Sequence, residues 1–415
     1  MKHSLEFAKT HMSVDIEDKN LSAVLHANEM ETELRGDDEV MRAMLNPIGT
    51  KRLRDIAKPT EKVVIITSDI TRPMPSKLVL PHILKELELA GVDKEDISVV
   101  FALGSHRKHT EEEMRYLVGD KVYEEVNCID SNMDDFVHFG YTQNGTPIDI
   151  FTPVAEADRR ICLGNIEFHY FAGYSGGAKA IMPGVSTRAA IQANHKRMVD
   201  SLSHAGNMDT NPVRMDIDAV AEYVPIDFIL NVVLNEEKEI IKAVAGHHIK
   251  AHREGCEFLD SLNKSVIKEL ADIVIVSAGG FPKDINLYQA QKALDNSKHA
   301  VREGGIIILV ASCKEGLGEH VFEQWIHEAK TSSDLIRRVE KKFELGGHKA
   351  AAIAMVLEKA KIFLVSDLKA DFVKQVFLEP FDTIQSAYDE AMKVIGKDAK
   401  VILIPHGGSI LPCKE

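Results

Sequence analysis

Four things are scarce in this 415-residue chain, and each scarcity removes a class of protein. Long apolar runs are missing: stretches such as residues 306–311 stop after about half a dozen residues, far short of the ~20 a membrane-crossing helix needs, so no span is expected. Cysteine is sparse and unpaired. The five residues, Cys128, Cys162, Cys256, Cys313 and Cys413, are odd in number and contain no C-x-x-C pair, which speaks against a disulfide framework or the usual zinc clusters and leaves buried free thiols as the expectation. Positive charge is in deficit, 50 Lys and Arg against 64 Asp and Glu, for a net charge of −14 with no long basic run. Neither nucleic acid nor an anionic membrane is therefore an expected partner, and an anionic substrate would need its cations placed locally. The opening residues, Met1-Lys2-His3-Ser4-Leu5-Glu6, lack the basic, apolar, then small-residue order of a secretory signal, so the expected compartment is the cytoplasm.

What is present describes a folded enzyme-sized protein. Apolar residues make up 45% and charged ones 27%, a globular composition, and the length is two to three times a domain of ~150 residues, which suggests two domains. Short β-branched runs alternate with longer helical patterns, the signature of α/β architecture with mostly parallel, Rossmann-like sheets. Eight strands are expected, near residues 62–67, 97–102, 160–164, 227–234, 272–277, 305–310, 361–365 and 400–404. Leu78, Val79, Ile83, Leu84 and Leu87 recur at helical spacing before Gly91, and Thr110-Glu111-Glu112-Glu113 has the form of a capping box. The polar stretch 250–271 reads as a connecting helix, which divides the chain into domains 1–270 and 271–415 with a cleft between them. No solenoid repeat or low-complexity tract is apparent.

In open α/β sheets ligands bind beyond the carboxyl ends of the strands. Here those ends are polar: Thr67-Ser68-Asp69-Ile70-Thr71-Arg72-Pro73, then Gly104-Ser105-His106-Arg107, then Asn165-Ile166-Glu167-Phe168-His169. Each residue has a bland alternative, a turn carboxylate, a solvated arginine or a structural histidine, but recurrence at successive strand ends favours a site. Tyr174-Ser175-Gly176-Gly177-Ala178-Lys179 loosely resembles a phosphate loop, yet the G-x-x-x-x-G-K-[ST] spacing is absent, so a small phosphate fits better than ATP and a tight turn remains the plain alternative. Tyr288, Gln289 and Lys292 fall roughly on one helical face, which spacing alone reads as an amphipathic helix with a solvated lysine. His247, His248 and His252 read as exposed helix histidines rather than metal ligands.

Five motifs, taken in order, resemble the nickel-pincer-nucleotide lactate racemases and their 2-hydroxyacid racemase and epimerase relatives. They are Ser68-Asp69-Ile70-Thr71-Arg72-Pro73, Gly104-Ser105-His106-Arg107, residues 169–184, Asn194-His195 and Asn286-Leu287-Tyr288-Gln289-Ala290-Gln291-Lys292, spread over nearly the whole chain. The resemblance implies a cofactor, a pyridinium-3-thioamide-5-thiocarboxylic acid mononucleotide holding nickel, joined through a thioamide to Lys179 and with nickel completed by His195. It also implies cofactor-maturation enzymes as partners. His106 and His169 match the acid/base pair. Arg72, Gln289 and Lys292 match substrate-side groups, with Asp69 and Tyr288 beside the cofactor, and Ser175, Gly176 and Gly177 are placed near its phosphate on mechanistic grounds. The resemblance further implies an aromatic wall with a tryptophan near the substrate; Trp325 is the sole tryptophan.

The chemistry of the residues agrees. Removing the α-proton of a 2-hydroxy acid is hard beside a carboxylate, whereas removing a hydride leaves a stable, flat 2-keto acid that can accept it back on either face. Two histidines serve two hydroxyl orientations, and imidazole titrates near neutrality. Arg72 offers a planar fork for a carboxylate. The expected substrate is a 2-hydroxy acid, lactate or a larger relative. The competing readings are a metal-dependent hydrolase with His106, His169 and His195 as ligands, and a non-catalytic hydroxy-acid or nucleotide binding protein.

Overall fold

The computed structural model describes residues 1–28, 30 and 32–414. The chain folds as two compact units, Met30–Asp260 and Met1–Glu29 with Ser261–Glu415. All eight expected strands form, and mixed α/β architecture with large parallel sheets is present in both units.

In the unit Met30–Asp260 the sheet strands are β1 (Val63–Ser68), β2 (Ile97–Ala102), β3 (Asn127–Asp130), β4 (Arg159–Asn165), β5 (Phe228–Leu234) and β6 (Ile240–Gly246). Their spatial order is β6-β5-β4-β1-β2-β3, with only β6 antiparallel to its neighbour. The first five residues of β1 are buried in sequence, as expected of a parallel strand covered on both faces rather than one that alternates in and out. One core packs Val63, Ile65, Val99, Phe101, Ile161 and Leu163 against the apolar stripe Val79, Leu80, Ile83 and Leu87 of helix α1 (Ser76–Leu89). Helix α2 (Glu111–Val118) starts on the expected capping box: Glu113 N–H donates to Thr110 Oγ1 at 3.2 Å and Thr110 N–H to Glu113 Oε2 at 2.9 Å. Because β4, β1 and β2 are adjacent, their carboxyl ends fall side by side.

Three further helices bear on the site, the last of them running past Asp260. They are α3 (Arg188–His195), capped by Thr187, α4 (Pro212–Ala219), capped by Asn211 with proline at its start, and α5 (Lys250–Asn263). Residues Lys264–Ile267, expected to continue α5, instead form a strand parallel to Leu411–Lys414.

The other unit has an all-parallel sheet in which β7 (Ala271–Ser277), β8 (Val301–Val310), β9 (Ala360–Val365), β10 (Glu379–Phe381) and β11 (Val401–Ile404) are ordered β10-β9-β8-β7-β11, with Leu21–Val24 beyond β11. The hairpin Lys2–Phe7/Thr10–Asp15 contributes Leu5, Phe7 and Val14 to its core. Helices α6 (Leu287–Ser297) and α7 (Gly347–Lys359) also belong to this unit. Trp325 is a core residue, 1% exposed, with its indole N–H donated to Glu344 at 3.2 Å and Gly347 seated on its ring. All five cysteines are free thiols, three buried and two partly so. Among the described residues no helix is long and apolar enough to cross a membrane.

Candidate active site

The chain turns immediately after β1, with Arg72 N–H donating to the Asp69 carbonyl at 3.1 Å, and this turn directs the Asp69 carboxylate inward, where it is 3% exposed. Thr71 Oγ1 donates to it at 2.9 and 3.1 Å, and His106 Nδ1, from the loop after β2, donates at 2.6 Å. Burial pushes the Asp69 pKa up, but the hydrogen bond and charge of His106, Thr71 and nearby Arg72 outweigh it, and the carboxyl is held below its usual range. A carboxylate accepts only, so His106 carries its proton on Nδ1 and keeps a lone pair on Nε2, the arrangement of an oriented general base. Arg72 lies 3.8 Å from Glu167 beyond β4, with both side chains 44% exposed. Such a pair is weak, and it leaves the guanidinium fork able to exchange partners.

A second Asp–His pair supports this turn from below. His109 Nδ1 donates to Asp130 at 2.6 Å and its Nε2 accepts the Ile70 N–H at 3.1 Å, with the imidazole only 1% exposed. The two pairs look alike on paper; burial separates them. His106 is 29% exposed and can reach a ligand, whereas His109 spends both nitrogens on the fold.

His169 accepts the Ala172 N–H on Nδ1 at 3.2 Å, so its neutral ring presents an N–H at Nε2. Burial, then the charges of Lys179 and Arg72, hold its pKa well below the ordinary value. Lys179 is held well below its usual value too, by burial first and then by Arg72 and Arg214, with Glu167 opposing, which makes its ammonium easier to deprotonate than an exposed lysine's. His195 closes α3. Its Nδ1 lies 2.9 Å from Asn194 Oδ1, whose amide nitrogen is in turn donated to Val213 O and Asp216 at 3.1 Å each. Nδ1 is therefore the donor and Nε2 carries the lone pair, the tautomer and second-sphere support typical of a metal-ligating imidazole.

The glycine turn is shaped by packing. A Cβ on Gly176 would lie 2.8 Å from Asn231 Oδ1, one on Gly177 3.0 Å from the His252 ring, and both residues have positive φ, +78° and +60°. Gly177 N–H donates to Asn231 at 2.8 Å, and Ser175 Oγ donates to the Asn165 carbonyl at 2.7 Å. Two groups assigned to a phosphate are thus engaged within the fold. His252, expected to be exposed, is 0% exposed beneath this turn; His247 and His248 stack on each other at 4.7 Å.

In the other unit α6 carries Tyr288, Gln289 and Lys292, with Asn286 capping it through Gln289 N–H at 3.0 Å. Gln289 and Lys292 are exposed. Lys349, 7% exposed, donates to the Tyr288 carbonyl at 2.7 Å and sits 3.9 Å from its ring centroid, which fixes the tyrosine at the start of α6.

Comparison with known proteins adds the decisive observation. The lactate racemase N-terminal domain model matches residues 7–206 and the C-terminal domain model residues 266–411. Lactate racemases of Thermoanaerobacterium thermosaccharolyticum and Lactiplantibacillus plantarum are 34% and 32% identical, each over 98% of this chain and 98% of their own. The chain belongs to the lactate racemase family. The structure of the T. thermosaccharolyticum lactate racemase apoprotein superposes with a TM-score of 0.90 at 32% identity, covering 99% of this chain and 100% of that one. A Thermotoga maritima protein at 20% identity, covering 94% of this chain and 100% of its own, shares the fold with a TM-score of 0.65.

As a lactate racemase family member the chain is an enzyme, an isomerase of the racemase type acting on a small molecule. The hydrolase reading of His106, His169 and His195 finds no support: among the described residues no three His, Cys, Asp or Glu side chains are gathered to hold a metal ion. Sequence reasoning missed His109, Asn231, Arg214 and the burial of His252, because each acts through a partner distant in sequence.

Proposed function

We propose that this racemase interconverts the enantiomers of a 2-hydroxy acid, lactate or a larger relative. His106 and His169 exchange the hydroxyl proton, Arg72, Gln289 and Lys292 bind the substrate, and a nickel-pincer nucleotide held at Lys179 and His195 is the resident cofactor, with Asp69 and Tyr288 beside it. When bound, that cofactor supplies a reversible acceptor for the hydride on the substrate's α-carbon. Family membership supports the racemase chemistry and the nickel; the residue roles rest on the geometry above.

The side chains fit such a group. A partly buried lysine whose pKa is held well below its usual value suits a permanent thioamide link, and an imidazole with its lone pair on Nε2 and Nδ1 tied to Asn194 suits a single nickel bond. Ser175 and Gly177 enter as the scaffold of the lysine, and Gly176 as the turn that lets it approach. The observation that carries the acid/base assignment is the Asp69–His106 bond at 2.6 Å, because it fixes which nitrogen faces the substrate. His106 takes the hydroxyl proton at Nε2, while Arg72 holds the carboxylate in a two-point grip that leaves the flat 2-keto acid free to turn. His169 faces the other orientation with its Nε2–H. To take the proton in its turn, its own hydrogen moves to Nδ1, and the Ala172 amide must release that atom.

Production together with the cofactor-maturation enzymes should yield a covalent adduct on intact mass spectrometry that disappears in Lys179→Ala, and protein made without those enzymes should be inactive. An adduct of unchanged mass and yield in Lys179→Ala would remove the lysine from its assigned role.

A further inference from the structure

A buried polar network of the Met30–Asp260 unit packs against the glycine turn. Arg214 is 0% exposed; its guanidinium donates to the carbonyl oxygens of Tyr174 and, at 3.4 Å, Ala172, and pairs with Asp218 at 3.4 Å. Asp218 also binds Arg253, and burial, which would protonate it, is outweighed by these two guanidiniums. Arg253 Nη1 donates at 2.8 Å to His252 Nδ1, and His252 Nε2 donates at 2.7 Å to the Ser175 carbonyl. Three carbonyls of the segment 172–175 are thus gripped by one connected network, and Asn231 takes the Gly177 N–H from the other side. Lys179 follows two residues later, its own N–H returned to the Gly176 carbonyl at 3.3 Å.

We propose that His252, set by Arg253, Asp218 and Arg214, is a positioning residue that fixes the glycine turn at residues 175–177 and through it the direction of Lys179. Plain core filling does not explain the arrangement. Burying an Arg–Asp–Arg–His network carries a desolvation penalty that apolar side chains of the same volume would avoid, so such groups are weak contributors to stability and strong ones to a unique geometry. The ring is matched to its task, because only the tautomer with hydrogen on Nε2 satisfies both Arg253 and Ser175, and the ring face is what Gly176 and Gly177 rest against. Burial and Arg214 lower its pKa to about 3, so it stays neutral in that tautomer. The functional half of the inference rests on Lys179 being the cofactor lysine; the structural half does not.

The test compares His252→Leu, the conservative His252→Gln and, at the partly exposed edge of the network, Arg253→Met, the last included in case His252→Leu fails to fold. Hydrogen exchange of the peptide spanning residues 172–180 should speed up about tenfold or more in His252→Leu and Arg253→Met, with protection elsewhere retained. In protein produced with the maturation enzymes, occupancy of Lys179 on intact mass or kcat should fall about tenfold while KM changes little, and His252→Gln should recover part of both. Unchanged exchange at residues 172–180 in folded variants overturns the proposal, as does faster exchange with occupancy and kcat intact. If Lys179→Ala keeps full turnover, the cofactor-lysine reading fails instead, and the exchange result still decides whether His252 holds the turn.

Discussion

At the scale of single residues, the position of one proton organises the site. The Asp69 carboxylate, 2.6 Å from His106 Nδ1, selects the tautomer that leaves Nε2 basic. Replacing it by an amide keeps the shape but offers a donor as readily as an acceptor, so the ring can turn or change tautomer. Asp69→Asn is expected to lower kcat about a hundredfold or more with KM much less affected, measured by the change in circular dichroism of a single lactate enantiomer. A KM effect alone would mean that Asp69 serves binding. The strand-end rule found Asp69 and His106 because both lie within a few residues of β1 and β2. It passed over His109, whose role is fixed by Asp130, 21 residues away on β3.

At the scale of elements, the site exists because β4, β1 and β2 are neighbours, which brings three polar strand ends together. The strands themselves were legible as β-branched runs, and the starts of α2 and of α1's apolar stripe as a cap and a period. The antiparallel edge β6 and the hairpin at Lys2–Phe7/Thr10–Asp15 were not, since their partners are chosen by long-range pairing that periodicity does not encode. The burial of His252 escaped for a similar reason: helical spacing without a metal motif reads as an exposed histidine, and only the turn at residues 175–177 packed against it makes that face interior. His109 is the element-level brace, tying the ends of β1, β2 and β3 through Ile70, its own loop and Asp130. His109→Phe removes both side-chain hydrogen bonds and should raise KM about tenfold by loosening the turn that carries Arg72, whereas His109→Gln should be milder. Equal KM in folded His109→Phe would show that the turn holds without it.

At the scale of the whole molecule, buried neutral histidines make the fold acid-sensitive. His252 and His348 are 0% and 6% exposed, and burial first, with Arg214 and Lys349 respectively, lowers the pKa of each to about 3. In the unfolded chain each titrates near ~6.5, so between that value and about 3 the unfolded state binds more protons and stability falls as pH falls. Each histidine should contribute about 1.4 kcal/mol per pH unit in that window. Urea midpoints measured at pH 7 and pH 5 should therefore drop on acidification, and the drop should shrink in His348→Gln; a flat profile would place these rings in solvent.

The central claim is that configuration is lost by hydride transfer and not through a carbanion, and the fate of the substrate's α-hydrogen tests it most directly. Holoenzyme should be given a single enantiomer of α-deuterated lactate in ordinary water and followed by mass spectrometry and chiral separation. Full racemisation with the deuterium retained on carbon is the predicted result. Loss of the label to solvent in step with inversion would contradict it.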